Sequence, residues 1–341
     1  MSQGARIVCF GELLVRLSAP GREMLLQSHQ LDVCFGGAEA NVAVSLAKLG
    51  RTSAMVSVVP DNALGDATRG ELRRHGVDVG SVAGGPGRMG LYFLTPGAMH
   101  RPSEVLYDRA DSAFALASPT LFDWPKLLSG AAWLHISGIT PAVSANTADA
   151  ALRAAKAARA NGVKVSIDCN YRAKLWAERQ GEARGVLAAL VGEADLLFGE
   201  QRDIEMITGK AAQNSEDEIE RRRHAAALAF ATFPNLKRIA STTRKVHNVD
   251  HNDLAGVMLT RDGVWTTPSY ALTQIVDRIG GGDAFAAGLL FGLETGLSDQ
   301  DTLDFAVAAA CLKHSIPGDF NLVDVDDVRA FLSENKFDVR R

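Results

Sequence analysis

The sequence predicts an α/β fold, a mostly parallel central sheet flanked by helices, with a small β-sheet set apart as a lid. Three observations predict it. Short apolar strands alternate with helices of about a dozen residues, the spacing of right-handed crossovers and of a parallel sheet covered on both faces. Several of those helices are closed by glycine, as at Gly50 and Gly162. Two strand-like segments, 90–95 and 104–109, break the alternation.

In chain order, 6–10 reads as a short apolar strand and 31–35 as a second, running into Gly36-Gly37. A small-residue helix over 38–49 follows, then a strand over 53–59. The segments 90–95 and 104–109 flank a loop holding Pro96, Gly97 and Pro102, and read as a hairpin. Within its second strand Tyr107 and Arg109 fall on one face. Together with 31–35 this hairpin forms either a separate lid sheet or an ordinary edge hairpin. The alternation then resumes: strand 132–136, helix 147–161, strand 163–168, helix near 181–192, strand 195–198. Ligands of such sheets gather at the carboxyl ends of the strands.

Composition narrows the function. The chain has 341 residues, 47% of them hydrophobic, enough for one large core. We expect one domain, 1–341, with the lid drawn from about 11–36 and 88–110. A net charge of −4 with scattered basic residues argues against nucleic acid or an anionic membrane as partner. The longest apolar run, 284–293, is half the roughly 20 residues that span a bilayer, and 1–8 has no signal pattern. Cys9, Cys34, Cys169 and Cys311 show no metal or redox spacing, so reduced thiols in a cytoplasmic protein are expected.

Motifs narrow it further. There is no GxxxxGK[ST] loop and no His-Arg-Asp catalytic loop. Gly85, Gly87 and Gly90 match GxGxxG but lead into a strand, which removes the main argument for a dinucleotide-dependent dehydrogenase. No HExxH or His-rich metal spacing occurs, and His75, His135, His224 and His314 read as core or surface histidines. The informative run is Gly280-Gly281-Gly282-Asp283 ahead of an apolar helix. Amides at such a terminus surround an anion, with Asp283 placed as a general base facing it. A glycine turn with a capping Asp reads equally well at this point.

Two segments carry a family resemblance. Gly36-Gly37-Ala38-Glu39-Ala40-Asn41, ending at Leu49-Gly50, resembles the N-terminal signature of the PfkB carbohydrate kinases. Asp277 through Gly288 resembles their C-terminal signature, DTxGAGDxFxxG. The resemblance covers nearly the whole chain and implies a ribokinase-like three-layer fold with a β lid. It also implies phosphoryl transfer from ATP, with Mg²⁺, to a sugar hydroxyl. Asp283 would take the proton, and the amides of Gly280, Gly281 and Gly282 would form the anion hole.

The stretch from Ile239 to Arg244 resembles in position the ATP-phosphate loop, without its usual glycine. Thr242, Thr243 and Arg244, with Asn170, Gly280 and Gly282, are thereby implied nucleotide contacts. Glu200 to Asp203 stands where many members carry NxxE. Neither carboxylate is assigned as a direct metal ligand; both would hold hydrated Mg²⁺ indirectly.

The segments 138–141, 168–172 and 107–109 are similar to those of 2-keto-3-deoxygluconate kinases. That similarity implies substrate contacts from Gly37, Asn41, Tyr92, Tyr107, Arg109, Arg172 and Asp319. A sugar acid brings a carboxylate that needs a guanidinium fork when desolvated, and Arg109 and Arg172 would supply it. The expected activity is therefore ATP-dependent 6-phosphorylation of 2-keto-3-deoxy-D-gluconate. Alternatives are a kinase of 2-keto-3-deoxygalactonate or a ketohexose, and a non-catalytic sugar sensor. The apolar lid strands imply a homodimer or higher homo-oligomer.

Overall fold

Short, mostly apolar runs become strands in nearly every place the alternation requires. The computed structural model describes residues 6–333; residues 1–5, which begin the 1–8 stretch, and 334–341 lie outside the described residues. The strands are β1 (Arg6–Phe10), β2 (Leu14–Ser18), β3 (Asp32–Gly36), β4 (Ser53–Pro60), β5 (Asp78–Gly85), β6 (Gly90–Thr95) and β7 (Glu104–Asp108). They continue as β8 (Ala131–Ser137), β9 (Lys164–Asp168), β10 (Leu196–Phe198), β11 (Arg238–Asn248), β12 (His251–Leu259), β13 (Val264–Thr266) and β14 (Tyr270–Thr273). The main sheet runs β13-β12-β11-β10-β9-β8-β1-β4-β5, with β14 also paired to β12. From β5 to β11 every pairing is parallel, and β12 turns the edge antiparallel.

The longer helices are α1 (Ala38–Lys48), α2 (Ala63–Arg74), α3 (Ala145–Ala160), α4 (Gln180–Gly192), α5 (Gln201–Thr208), α6 (Glu218–Thr232), α7 (Gly281–Thr295), α8 (Asp299–Lys313) and α9 (Val325–Leu332). Two apolar clusters lie on either side of the sheet, one drawing on α1, α7 and α8, the other on α3, α4 and α6. All eight residues of β4 are buried, as a strand covered on both faces requires. The result is the three-layer arrangement the alternation predicts.

The lid is a second sheet in the order β3-β2-β6-β7. Residues 90–95 and 104–108 do form the hairpin, and 32–36 joins it through β2, a strand not read from the sequence. Leu91 and Phe93 are half-buried rather than open, while Leu106 is exposed. A second correction concerns 239–244, expected as a polar loop after a strand. It lies inside β11, which continues to Asn248 because β12 pairs with it along its length.

Candidate active site

The carboxyl ends of β1, β8, β9 and β10 converge beneath the lid, and the first turn of α7 closes the space they leave. Gly280 has a left-handed φ of 81°, and a Cβ there would stand 2.0 Å from the Asp319 carbonyl oxygen. Only glycine makes that turn. The Gly281 amide is turned inward, 3.4 Å from the Arg278 carbonyl, and Gly281 is buried against His314. This corrects the expected set of three glycine amides: the short turn at 278–281 takes Gly281 out of the cleft. The amides of Gly282 and Asp283 have no acceptor among the described residues. With the helix dipole behind them they suit an anion.

Asp283 is held by one strong contact. Asn41 Nδ2, from α1, donates to its Oδ2 at 2.6 Å, and Asn41 Oδ1 has no donor among the described residues. Burial pushes the Asp283 carboxyl up to about 7, against the lowering effect of the Asn41 bond, and Asp319 adds to the rise. A carboxylate so placed is half-ionised at neutral pH and suits a general base.

The cleft has a volume of about 530 Å³. It brings together Gly37, Asn41, Tyr92, Tyr107, Arg109, Asn170, Arg172, Thr242, Arg244, Gly280, Gly282, Asp283 and Asp319. Thr243 is not among them. Strand alternation turns it to the opposite face, where its Oγ1 accepts from Arg222 Nη2 at 3.1 Å.

The arginines differ in their partners. Arg109 sits over the Tyr107 ring at 5.7 Å and is buried. Its Nε and Nη2 both donate to Glu12, a buried carboxylate that also accepts from Ser112. The expectation of a guanidinium waiting for a substrate carboxylate is corrected here, because Glu12 already neutralises it. The guanidinium groups of Arg172, Arg244 and Arg278 make no hydrogen bond or ion pair among the described residues. Burial, with Arg244 nearby, lowers Arg278, so that cleft corner is electropositive.

Asp319 is buried beneath the lid. It accepts from the Tyr92 hydroxyl at 2.5 Å, and Arg16 Nη1 lies 3.1 Å from its Oδ1. Arg16 also reaches Asp277 at 2.8 Å, and Asp277 accepts from the Gly318 and Ile279 amides. One lid arginine therefore ties β2 to both sides of the glycine turn. Burial raises Asp319 despite Arg16, whereas Asp319 and Asp277 together hold Arg16 firmly protonated against its burial.

Four further carboxylates complete the site. Glu39 is buried, accepts from the Ser137 amide and the Thr140 hydroxyl, and is pushed up to about 7 by burial. Asp168 is raised to about 8 by burial and by Asp283. Glu200 lines the cleft as the N-cap of α5, and Asp203 turns back to accept the Glu200 amide at 2.8 Å. Asp203 is thus spent on capping, leaving Asp168 and Glu200 as the oxygen donors facing the cleft. Hard oxygen donors of this kind suit hydrated Mg²⁺. Glu12, Arg16, Asp168 and Arg278 were given no role by sequence reasoning; Asp168 and Arg278 stood inside the family-like segments 168–172 and 277–288, whereas Glu12 and Arg16 lay beside no legible signal.

Comparison with known proteins agrees with this geometry. The model of the "pfkB family carbohydrate kinase" matches residues 5–243 and 246–322. A 2-dehydro-3-deoxygalactonokinase of Haloferax volcanii is 32% identical over 329 residues, 96% of each chain. A 2-dehydro-3-deoxygluconokinase of Bacillus subtilis is 27% identical over 332 residues, again 96% of each. The crystal structure of a 2-dehydro-3-deoxygluconokinase from Thermotoga maritima superposes with a TM-score of 0.91 at 38% identity, covering 96% of this chain and 99% of that one.

Proposed function

Because the chain belongs to the PfkB family of carbohydrate kinases, we propose that it transfers the terminal phosphoryl group of ATP to the 6-hydroxyl of a 2-keto-3-deoxy sugar acid. The preferred acid is 2-keto-3-deoxy-D-gluconate, the 2-dehydro-3-deoxygluconate of the Bacillus and Thermotoga relatives. The observation that carries the substrate class is Arg172, a cleft cation whose guanidinium makes no hydrogen bond or ion pair among the described residues, although Asp168, Asp203 and Asp283 lie near enough to feel its charge. A neutral sugar would leave the guanidinium donors without a charged acceptor in a partly desolvated site.

In this reading Asp283, steered by Asn41, accepts the proton of the attacking hydroxyl. The Gly282 and Asp283 amides receive the phosphoryl oxygens as charge develops on them. Arg244 and Arg278 meet the remaining phosphates, with Thr242 and Asn170 on the same wall. Asp168 and Glu200 would hold Mg²⁺, which neutralises phosphate charge when bound. Tyr92, Tyr107 and Asp319 close over the sugar from the lid side, and Arg109 offers Nη1 and the second hydrogen of Nη2, its Nε–H and one Nη2–H being held by Glu12.

A second reading is the galactonate epimer, favoured by the Haloferax relative. A coupled assay comparing both 2-keto-3-deoxy acids with fructose tests the proposal. Preference for fructose would overturn the sugar-acid assignment, and no ATP turnover with any of them would overturn the kinase reading.

A further inference from the structure

We propose that the β11–β12 hairpin carries a binding site for a divalent transition-metal ion such as Zn²⁺, built from His247, His251 and Asp253. One potential ligand atom from each residue lies within 4.8 Å of the others. His247 Nε2 is 2.7 Å from Asp253 Oδ2, and His251 Nε2 is 3.8 Å from Asp253 Oδ1. The two imidazole rings stand 4.4 Å apart at 30°.

The backbone explains the juxtaposition. His251 and Asp253 are two apart on β12 and so share a face, while Asn252 and Leu254 between and beyond them are buried. Along the ladder Lys245 pairs with Asp253 and Val246 with Asn252, then the register shifts so that Asn248 pairs with His251. His247 is the extra residue of that bulge. Alternation from Lys245, which pairs with Asp253, puts His247 on the face carrying Asp253 and His251, and the bulge keeps it there beside His251 without a ladder partner of its own. β14 pairs with the other edge of β12, opposite His251 and Asp253, and fixes that strand in place.

A simple ion pair does not account for the trio. Protonating both imidazoles would set two like charges against one carboxylate, and leaving one neutral gives it no role. A metal ion takes two neutral imidazoles and a carboxylate together, with water completing the shell. Around a tetrahedral Zn²⁺ the ligand atoms stand roughly 3.3 Å apart. The side chains are half-exposed to exposed, so small rotations close the remaining gap. Thr242, Arg244 and Val246 of β11 face the cleft. The trio lies on the other face of the hairpin, separate from the catalytic groups.

The test uses untagged full-length protein, Co²⁺ as a visible-absorption probe, Zn²⁺ in competition, and thermal denaturation with each metal. Wild type should take up one Co²⁺ per chain, lose its spectrum to Zn²⁺, and melt at higher temperature with Zn²⁺. His251→Ala and His247→Ala/His251→Ala should weaken binding about tenfold or more and abolish the thermal shift. Mg-ATP-dependent activity should stay near wild type and serves to verify folding. Absence of binding to wild type, or equal binding by the double variant, overturns the site.

Discussion

Replacing Asp283 by Asn should abolish most turnover and yet make the folded protein more stable above neutrality. The carboxyl has a folded value of about 7, against about 4 for an unperturbed Asp. Between those values the folded state binds a proton that the unfolded chain has released, so folding loses stability as pH rises from about 4 to 7. Above 7 the loss is complete. At about 1.4 kcal/mol per tenfold change in proton affinity, it reaches at most about 4 kcal/mol. Partial exposure of the site should reduce this to about 1–3 kcal/mol.

Asn carries no charge, so the cost vanishes, and Asp168, raised in part by Asp283, is relieved too. An Asn oxygen still accepts from Asn41. Losing the base alone should lower kcat by about 10²–10⁴ with the KM for ATP nearly unchanged. Wild-type kcat/KM should climb through pH 7, while the residual rate of the variant stays flat across that midpoint. Urea denaturation at pH 8 and at pH 4.5 measures the stability arm, whose gain should be confined to the higher pH. A variant retaining more than about a third of wild-type kcat, or the same pH midpoint, refutes Asp283 as the base.

Arg172→Leu should cost about 2–5 kcal/mol in kcat/KM for the sugar acid while sparing ATP binding; full activity on the acid would sink the carboxylate assignment. Arg109→Leu should behave differently, lowering the melting temperature as well, because it strands the buried Glu12, and Arg109→Leu/Glu12→Met should recover much of that stability. Arg16→Met leaves Asp277 and Asp319 without their arginine beneath the lid and should destabilise the fold by about 3–5 kcal/mol at pH 8, and by less as the pH falls, because burial raises Asp319 and favours its protonated form. Exposed Val33, Val105 and Leu106 on the lid lead us to expect a homodimer, and light scattering that gives the monomer mass at micromolar concentration would remove that expectation.

By itself the sequence determined the sheet alternation, the lid hairpin and the glycine turn before Asp283, because each depends on neighbours a few residues apart. Period-two and period-3.6 patterns and a positive-φ glycine are local properties of a chain. The tertiary structure decided which charges are already answered. Arg109 meets Glu12 from 97 positions away, Arg16 meets Asp277 across 261, and Asn41 meets Asp283 across 242. No local pattern encodes such pairings, and they separate a waiting guanidinium such as Arg172 from a neutralised one.

Strand parity behaved the same way. Thr242, Thr243 and Arg244 are equivalent in a loop, but once β11 extends through them only alternate residues reach the cleft. Continued alternation sends Thr243, Lys245 and His247 to the opposite face, where the pairing with β12 sets His247 beside His251 and Asp253. Which face a side chain takes depends on where a strand is paired and where its register slips, and both are set by partners brought together only on folding.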